Sequence, residues 1–255
     1  MQINSNAQDA ASFIPILYKT FQASNLTHNV SLTCCDAEGW NGQRTFTSGL
    51  VSAGMEQYLS VITSHAYTSD PTSPLNTKLS VWLTEASPNQ AFTTNWGSSG
   101  STDGMAWANK IAVGIVNANL SAFLFWEGYE NKQQQSQSHL IDTDGTNPTP
   151  SGIYWAFVMW SRFIRPGAYR LTTSGSPSGL ITGAFKNVDG SLILVFTNTG
   201  SARSLTVTID GATPTTADAY ITDQSHKCAS TTATLSSGSL SVSVPSRSVV
   251  TVKLT

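Results

Sequence analysis

The sequence predicts a parallel α/β layer followed by an antiparallel β-sandwich. Three observations carry this prediction. Short apolar or β-branched runs alternate with helical periodicity as far as Ile164, the pattern of βαβ units and a parallel sheet. From Tyr169 onward the texture changes to short alternating strands separated by Gly, Ser, Thr and Asp-Gly turns, the pattern of a sandwich. Between these, the run Lys78-Leu79-Ser80-Val81-Trp82-Leu83 ends in Thr84-Glu85-Ala86. That puts a carboxylate at the C-terminal end of a strand, where parallel sheets gather their ligand groups.

Taken in order, residues 7–23 read as a helix, with Phe13, Ile14, Ile16, Leu17 and Phe21 as its apolar stripe at helical spacing. Val30 to Cys35 reads as a strand, Phe46 to Gln57 as a helix, Leu59 to His65 as a second strand and Leu79 to Thr84 as a third. Met105 to Asn117 is helical, with Trp107, Ile111, Ile115 and Val116 on the apolar side, and Ala122 to Trp126 is a fourth strand. A helix from Ile153 to Ile164, carrying Trp155, Phe157 and Trp160 as core positions, stops at Pro166-Gly167, a helix-terminating pair. Six sandwich strands follow at Leu180–Phe185, Leu192–Thr197, Leu205–Ile209, Ala217–Ile221, Leu240–Val244 and Val249–Leu254. Asp189-Gly190 is the clearest hairpin turn. Ser230 to Ser239 reads as a polar turn region.

Composition narrows the class. Of 255 residues, 40% are hydrophobic but only 11% are charged, and the net charge is −2. Ordinary soluble domains carry about 25% charged residues, so this surface is made polar by Ser, Thr, Asn and Gln, a style that suits secretion. The near-neutral charge argues against a nucleic-acid partner, which needs a basic field. No basic run or long apolar span marks a membrane segment. Cys34, Cys35 and Cys228 form an odd set, leaving at least one unpaired within the chain, either as a free thiol or with a partner elsewhere. Sequons stand at Asn25, Asn29 and Asn119. The opening Met1-Gln2-Ile3-Asn4-Ser5-Asn6 has neither a cationic start nor an apolar run, so it does not read as a signal peptide; a secretion signal would lie upstream of it.

Four parallel strands do not close a barrel, which takes about eight. The alternatives are the back part of a longer protein, an open sheet, or a half that pairs with another half. The odd cysteine and the opening segment favour the first.

Several landmarks then occur in order: Cys34-Cys35-Asp36-Ala37-Glu38-Gly39-Trp40, Ser64-His65-Ala66-Tyr67, Trp82-Leu83-Thr84-Glu85 and Phe125-Trp126-Glu127-Gly128. Trp160-Ser161-Arg162-Phe163-Ile164-Arg165-Pro166-Gly167-Ala168 and Ala184-Phe185-Lys186-Asn187-Val188-Asp189-Gly190-Ser191 complete the series. Along essentially its whole length the chain resembles glycoside hydrolase family 30, in particular the fungal xylanase-type members. The resemblance implies part of a (β/α)8 TIM barrel, strands five to eight, in residues 1–167. It implies a β-sandwich side domain in residues 168–255. It also implies retaining hydrolysis of a plant-wall polysaccharide, with xylan or glucuronoxylan first. An endo-β-1,6-galactanase and a non-catalytic carbohydrate-binding protein are the alternatives.

By the same resemblance Glu85 is the nucleophile, at the end of barrel strand seven. His65 and Tyr67 follow strand six, and Trp126 ends strand eight. The family's acid/base glutamate follows an Asn at the end of strand four, and no Asn-Glu dipeptide occurs here. The chain is therefore expected to begin after the acid/base and to pair with a missing N-terminal half of the barrel. A retaining glycosidase needs two carboxyl groups about 5–5.5 Å apart. Glu127, Asp36 and Glu38 are the other strand-end carboxylates, and nothing in the resemblance makes any of them the acid.

His65 and Tyr67 are candidates to orient Glu85 or touch the sugar, Trp126 and Trp40 to stack on sugar faces, and Glu127 to accept from a sugar hydroxyl. Each also has a packing or solvated reading. His139 and His226 read as surface residues. Cys34-Cys35-Asp36 with a distant histidine lacks metal spacing, so neither a metal nor another cofactor is expected.

Overall fold

The computed structural model describes residues 5–88, 90–98, 100–131, 139–236 and 238–255; part of the opening segment, Met1 to Asn4, lies outside them. In chain order the elements are α1 (Ala7–Ala23), β1 (Thr33–Ala37), α2 (Trp40–Ser52), β2 (Val61–His65), β3 (Ser80–Glu85), α3 (Gly104–Ala112) and β4 (Ala122–Phe123). Then come β5 (Tyr129–Asn131), β6 (Ile141–Thr143), β7 (Pro148–Pro150), α4 (Gly152–Ser161) and β8 (Tyr169–Leu171). The last eight are β9 (Leu180–Lys186), β10 (Leu192–Asn198), β11 (Arg203–Thr208), β12 (Ala217–Thr222), β13 (Ala229–Thr231), β14 (Ala233–Ser236), β15 (Ser239–Val244) and β16 (Ser248–Leu254).

The helices start where side chains satisfy their free amides. Asn6 Oδ1 accepts from the Gln8 and Asp9 amides at 2.9 and 3.0 Å. Asp103 accepts from Ala106, and Ser151 from Tyr154, each capping a donor the helix cannot pair itself. Past Ala112 the third helix widens into a π turn, Val113–Asn117.

The chain divides into two compact units, Met1–Ser87 with Asn117–Trp126, and Pro88–Val116 with Glu127–Thr255. In the first, the strands lie in sequential order β1-β2-β3-β4, all parallel. Leu50, Ile62 and Leu83 are fully buried. Trp82 and Leu124 remain exposed. The apolar stripe read on α1 is only partly a core face: Ile14 is buried, while Phe13 and Ile16 are 57% and 62% exposed. The fourth strand is shorter than expected, with ladder pairing only at Ala122 and Phe123. Beyond it the chain keeps company with β3 through single bonds, Leu124 N–H to Leu83 O and Trp126 N–H to Ala86 O.

In the second unit, α3 packs on α4. Their starts approach too closely for any side chain, since a Cβ at Gly104 would lie 2.4 Å from the Gly152 carbonyl oxygen. The sandwich has a six-stranded sheet, β13-β12-β16-β10-β9-β8, and a three-stranded one, β11-β15-β14. Phe196, Leu240, Val242, Val250 and Val252 fill the space between. Trp96 is tied to it by its indole N–H on the Arg247 carbonyl at 2.9 Å. Ser230 to Ser239 is not simply a turn. It holds most of β13, all of β14 and the start of β15, because Ala233 and Leu235 pack on the sandwich core while the intervening Thr and Ser face out. A further small sheet, β5-β6-β7, has no counterpart in the sequence reading.

Candidate active site

The C-terminal ends of β1, β2 and β3 converge on one cluster, and backbone irregularities aim it. The β2–β3 register passes from Ser64↔Leu83 to His65↔Glu85, leaving Thr84 as the extra residue. The β1–β2 register skips Asp36, which has a φ of 55°. Bulges of this kind re-aim side chains at strand ends. Thr84 lies at the junction: its hydroxyl donates to Asp36 Oδ1 at 2.5 Å and lies 3.1 Å from the Ser64 carbonyl oxygen.

The loops behind the cluster lock together. Tyr67 and Thr68 both donate their amides to the Glu38 carbonyl, at 2.8 and 3.2 Å, and Trp40 donates its amide to the Ser69 carbonyl. Gly39 makes the approach possible, since a Cβ there would lie 2.2 Å from Thr68 Oγ1 and 2.7 Å from the Ser69 amide nitrogen.

Within this frame the Tyr67 hydroxyl donates to Glu85 Oε1 at 2.6 Å. The Tyr67 pKa lies well above the ordinary phenol range, first because of burial, then because of the bond to Glu85 and its negative charge, with Ser87 opposing. Tyr67 therefore holds its proton as a standing donor to the carboxylate. His65 meets Tyr67 edge-on, with ring centroids 5.8 Å apart. Its Nε2 lies 3.7 Å from Asp36 Oδ1 and 3.9 Å from Glu85 Oε2, distances that suit an ion pair of a protonated ring but exceed hydrogen-bond range. Trp126, brought beside the end of β3 by its bond to Ala86, is 51% exposed and offers an open indole. Among the described residues no group of His, Cys, Asp and Glu is arranged to hold a metal.

Glu85, His65, Tyr67 and Trp126 thus come together in one unit. Trp40 does not join them. It is fully buried (0% exposed), with its indole N–H on the Ser73 carbonyl at 2.9 Å. It serves packing, and no ring face is open to a sugar. Glu127 belongs to the second unit, where its carbonyl accepts from the Leu140 amide. His139 is not a surface residue: it is buried against Phe92, with Nδ1 3.2 Å from Glu130 and Nε2 3.7 Å from Asp142. His226 is half exposed and pairs with Asp223. Cys34 and Cys35 are disulfide-bonded to each other, and Cys228 is a free thiol, partly exposed. The sequence reading left Asp36 as a strand-end carboxylate that is solvated, salt-bridged or a sugar-hydroxyl acceptor, and not the acid. Its link to Thr84 was not visible, because the two are 48 positions apart.

Residues 167–252 match the glycosyl hydrolase family 30 β-sandwich domain. The chain is also similar to the catalytic domain of family 30 xylanase C from Talaromyces cellulolyticus, at 44% identity and a TM-score of 0.91 over 99% of this chain. The family 30 subfamily 8 xylanase of Clostridium acetobutylicum (19% identity, TM-score 0.77) and the family 30 endoxylanase of Clostridium papyrosolvens (17%, 0.78) share the fold over 98% of the chain. The C-terminal part of the chain is thus a family 30 glycosyl hydrolase β-sandwich domain, and the chain as a whole is similar to a family 30 catalytic domain. It spans 58% of the Talaromyces chain and 61% of each clostridial chain.

Proposed function

We propose that this chain supplies the nucleophile half of a secreted, retaining endo-xylanase. In this reading residues 1–167 are strands five to eight of a TIM barrel and residues 168–255 its side domain. Glu85 attacks the anomeric carbon, and a partner segment with the first four strands brings the acid/base. The observation that carries the reading is Glu85 itself, at the C-terminal end of a parallel strand with a protonated phenol on one oxygen. Tyr67 holds the carboxylate in place, His65 faces it and Asp36 together, and Trp126 offers a stacking face for a pyranose ring. Xylan leads because the 44% identical relative is a xylanase. No helix among the described residues is long and apolar enough to cross a membrane, which is compatible with secretion.

The test is a chimaera joining the chain to the part of the Talaromyces xylanase outside the match. Proton NMR of glucuronoxylan digestion should show the β-anomer of the new reducing end first, as a double displacement requires. The α-anomer first would sink the retaining mechanism. Turnover of β-1,6-galactan but not xylan would replace the substrate.

In that chimaera Tyr67→Phe is expected to lower kcat about 10–100-fold with little change in KM. A hydrogen bond to a charged group is worth about 1.5–3 kcal/mol. Unchanged kcat would mean that Tyr67 is only packing.

A further inference from the structure

We propose that Asn119 and at least one of Asn25 and Asn29 are N-glycosylation sites whose glycans clothe the pole of the parallel sheet opposite Glu85. The sequence holds three Asn-x-Ser/Thr tripeptides in which x is not proline: Asn25-Leu26-Thr27, Asn29-Val30-Ser31 and Asn119-Leu120-Ser121. A fourth, Asn147-Pro148-Thr149, is blocked by its proline. All three acceptors fall in the first unit. Asn25 and Asn29 lie between α1 and β1, and Asn119 lies between the π turn Val113–Asn117 and β4. Each thus sits where the chain enters a strand.

The four strands are parallel, so every entry lies at one end of the sheet and every exit at the other. Asp36, His65 and Glu85 stand at the exits. A strand of β2's length separates the two ends by about 15 Å at ~3.3 Å per residue.

Two further observations suit the acceptors to modification. All three asparagines are exposed, and Asn25 and Asn119 occupy left-handed turn positions, with φ of 55° and 61°. The middle residues of the first two sequons, Leu26 and Val30, are each 41% exposed. A glycan on a flanking asparagine would cover this apolar pair. In the transfer, Asn Nδ2 forms a bond to C1 of the reducing-end N-acetylhexosamine of a lipid-pyrophosphate-linked oligosaccharide. The C1–O bond breaks, the pyrophosphate leaves with the electron pair, and the amide gives up one proton. The inference goes beyond the hydrolase reading and requires only that the chain enter a secretory lumen.

The full chain, expressed behind a cleavable leader in a eukaryotic host, tests it. All chain that reached the lumen, secreted or retained, is treated with peptide-N-glycosidase in ¹⁸O water and mapped by peptide mass. The expected result is a loss of mass on treatment, with labelled aspartate at position 119 and at position 25 or 29, and an unaltered Asn147. Lumenal chain with no labelled aspartate, or with label in only one of the two loops, overturns the proposal. The readout does not use activity, so a failed hydrolase reading would leave it intact.

Discussion

The isolated chain is expected to release no measurable reducing sugar from xylan. The cluster at the ends of β1, β2 and β3 holds Glu85 by a donor from Tyr67, but retaining chemistry also needs a carboxyl group that protonates the leaving oxygen. Asp36 is engaged by Thr84 and faces His65, so it is a charge partner within the cluster. General acid–base help is worth about 10²–10⁴-fold, and in the proposed half-barrel substrate positioning is lost as well. Reducing-end assays on purified chain check this, with the Talaromyces chimaera as the positive control. Robust turnover by the chain alone, abolished by Glu85→Gln, would mean that the acid lies within these residues.

The second large effect is Glu85→Gln in the chimaera. The amide oxygen still accepts from Tyr67, so the fold and sugar binding are expected to survive. The neutral amide cannot form the glycosyl ester, and kcat should fall by at least about 10⁴-fold. Loss of a covalent nucleophile elsewhere has cost about 10⁶-fold. KM should stay within a few-fold, and Glu127→Gln should cost far less than Glu85→Gln. Equal losses for the two variants would remove Glu85 from its special place.

Much of this architecture was legible in the residues. The helix at 7–23 was readable because its apolar residues recur at helical spacing. The strand ending at Glu85 was readable because the apolar run stops at a carboxylate. The strands β9, β10, β12, β15 and β16 are short apolar or β-branched runs bounded by turn residues and lie within a residue or so of their expected bounds. What escaped depends on contacts between distant residues. Trp40 looks the same in sequence whether its indole reaches sugar or the Ser73 carbonyl. His139 is buried between Phe92 and the Glu130–Asp142 pair that β5 and β6 bring into register, contacts that join residues distant in sequence. Phe13 and Ile16 share the periodicity of Ile14 but not its burial, since periodicity identifies a face without saying what covers it.

The Thr84 hydroxyl has a consequence for how such a strand end tolerates substitution. It joins β3 to Asp36 on β1, passing over the intervening strand β2. Substitutions at two hydrogen-bonded residues are generally non-additive in their effect on stability. A variant that lost the hydroxyl at 84 would leave Asp36 without its donor, and one that lost the carboxylate at 36 would free the residue next to Glu85. The cost of substituting either Asp36 or Thr84 is therefore expected to depend on whether the other is still present, a coupling that a double-mutant cycle on stability would read.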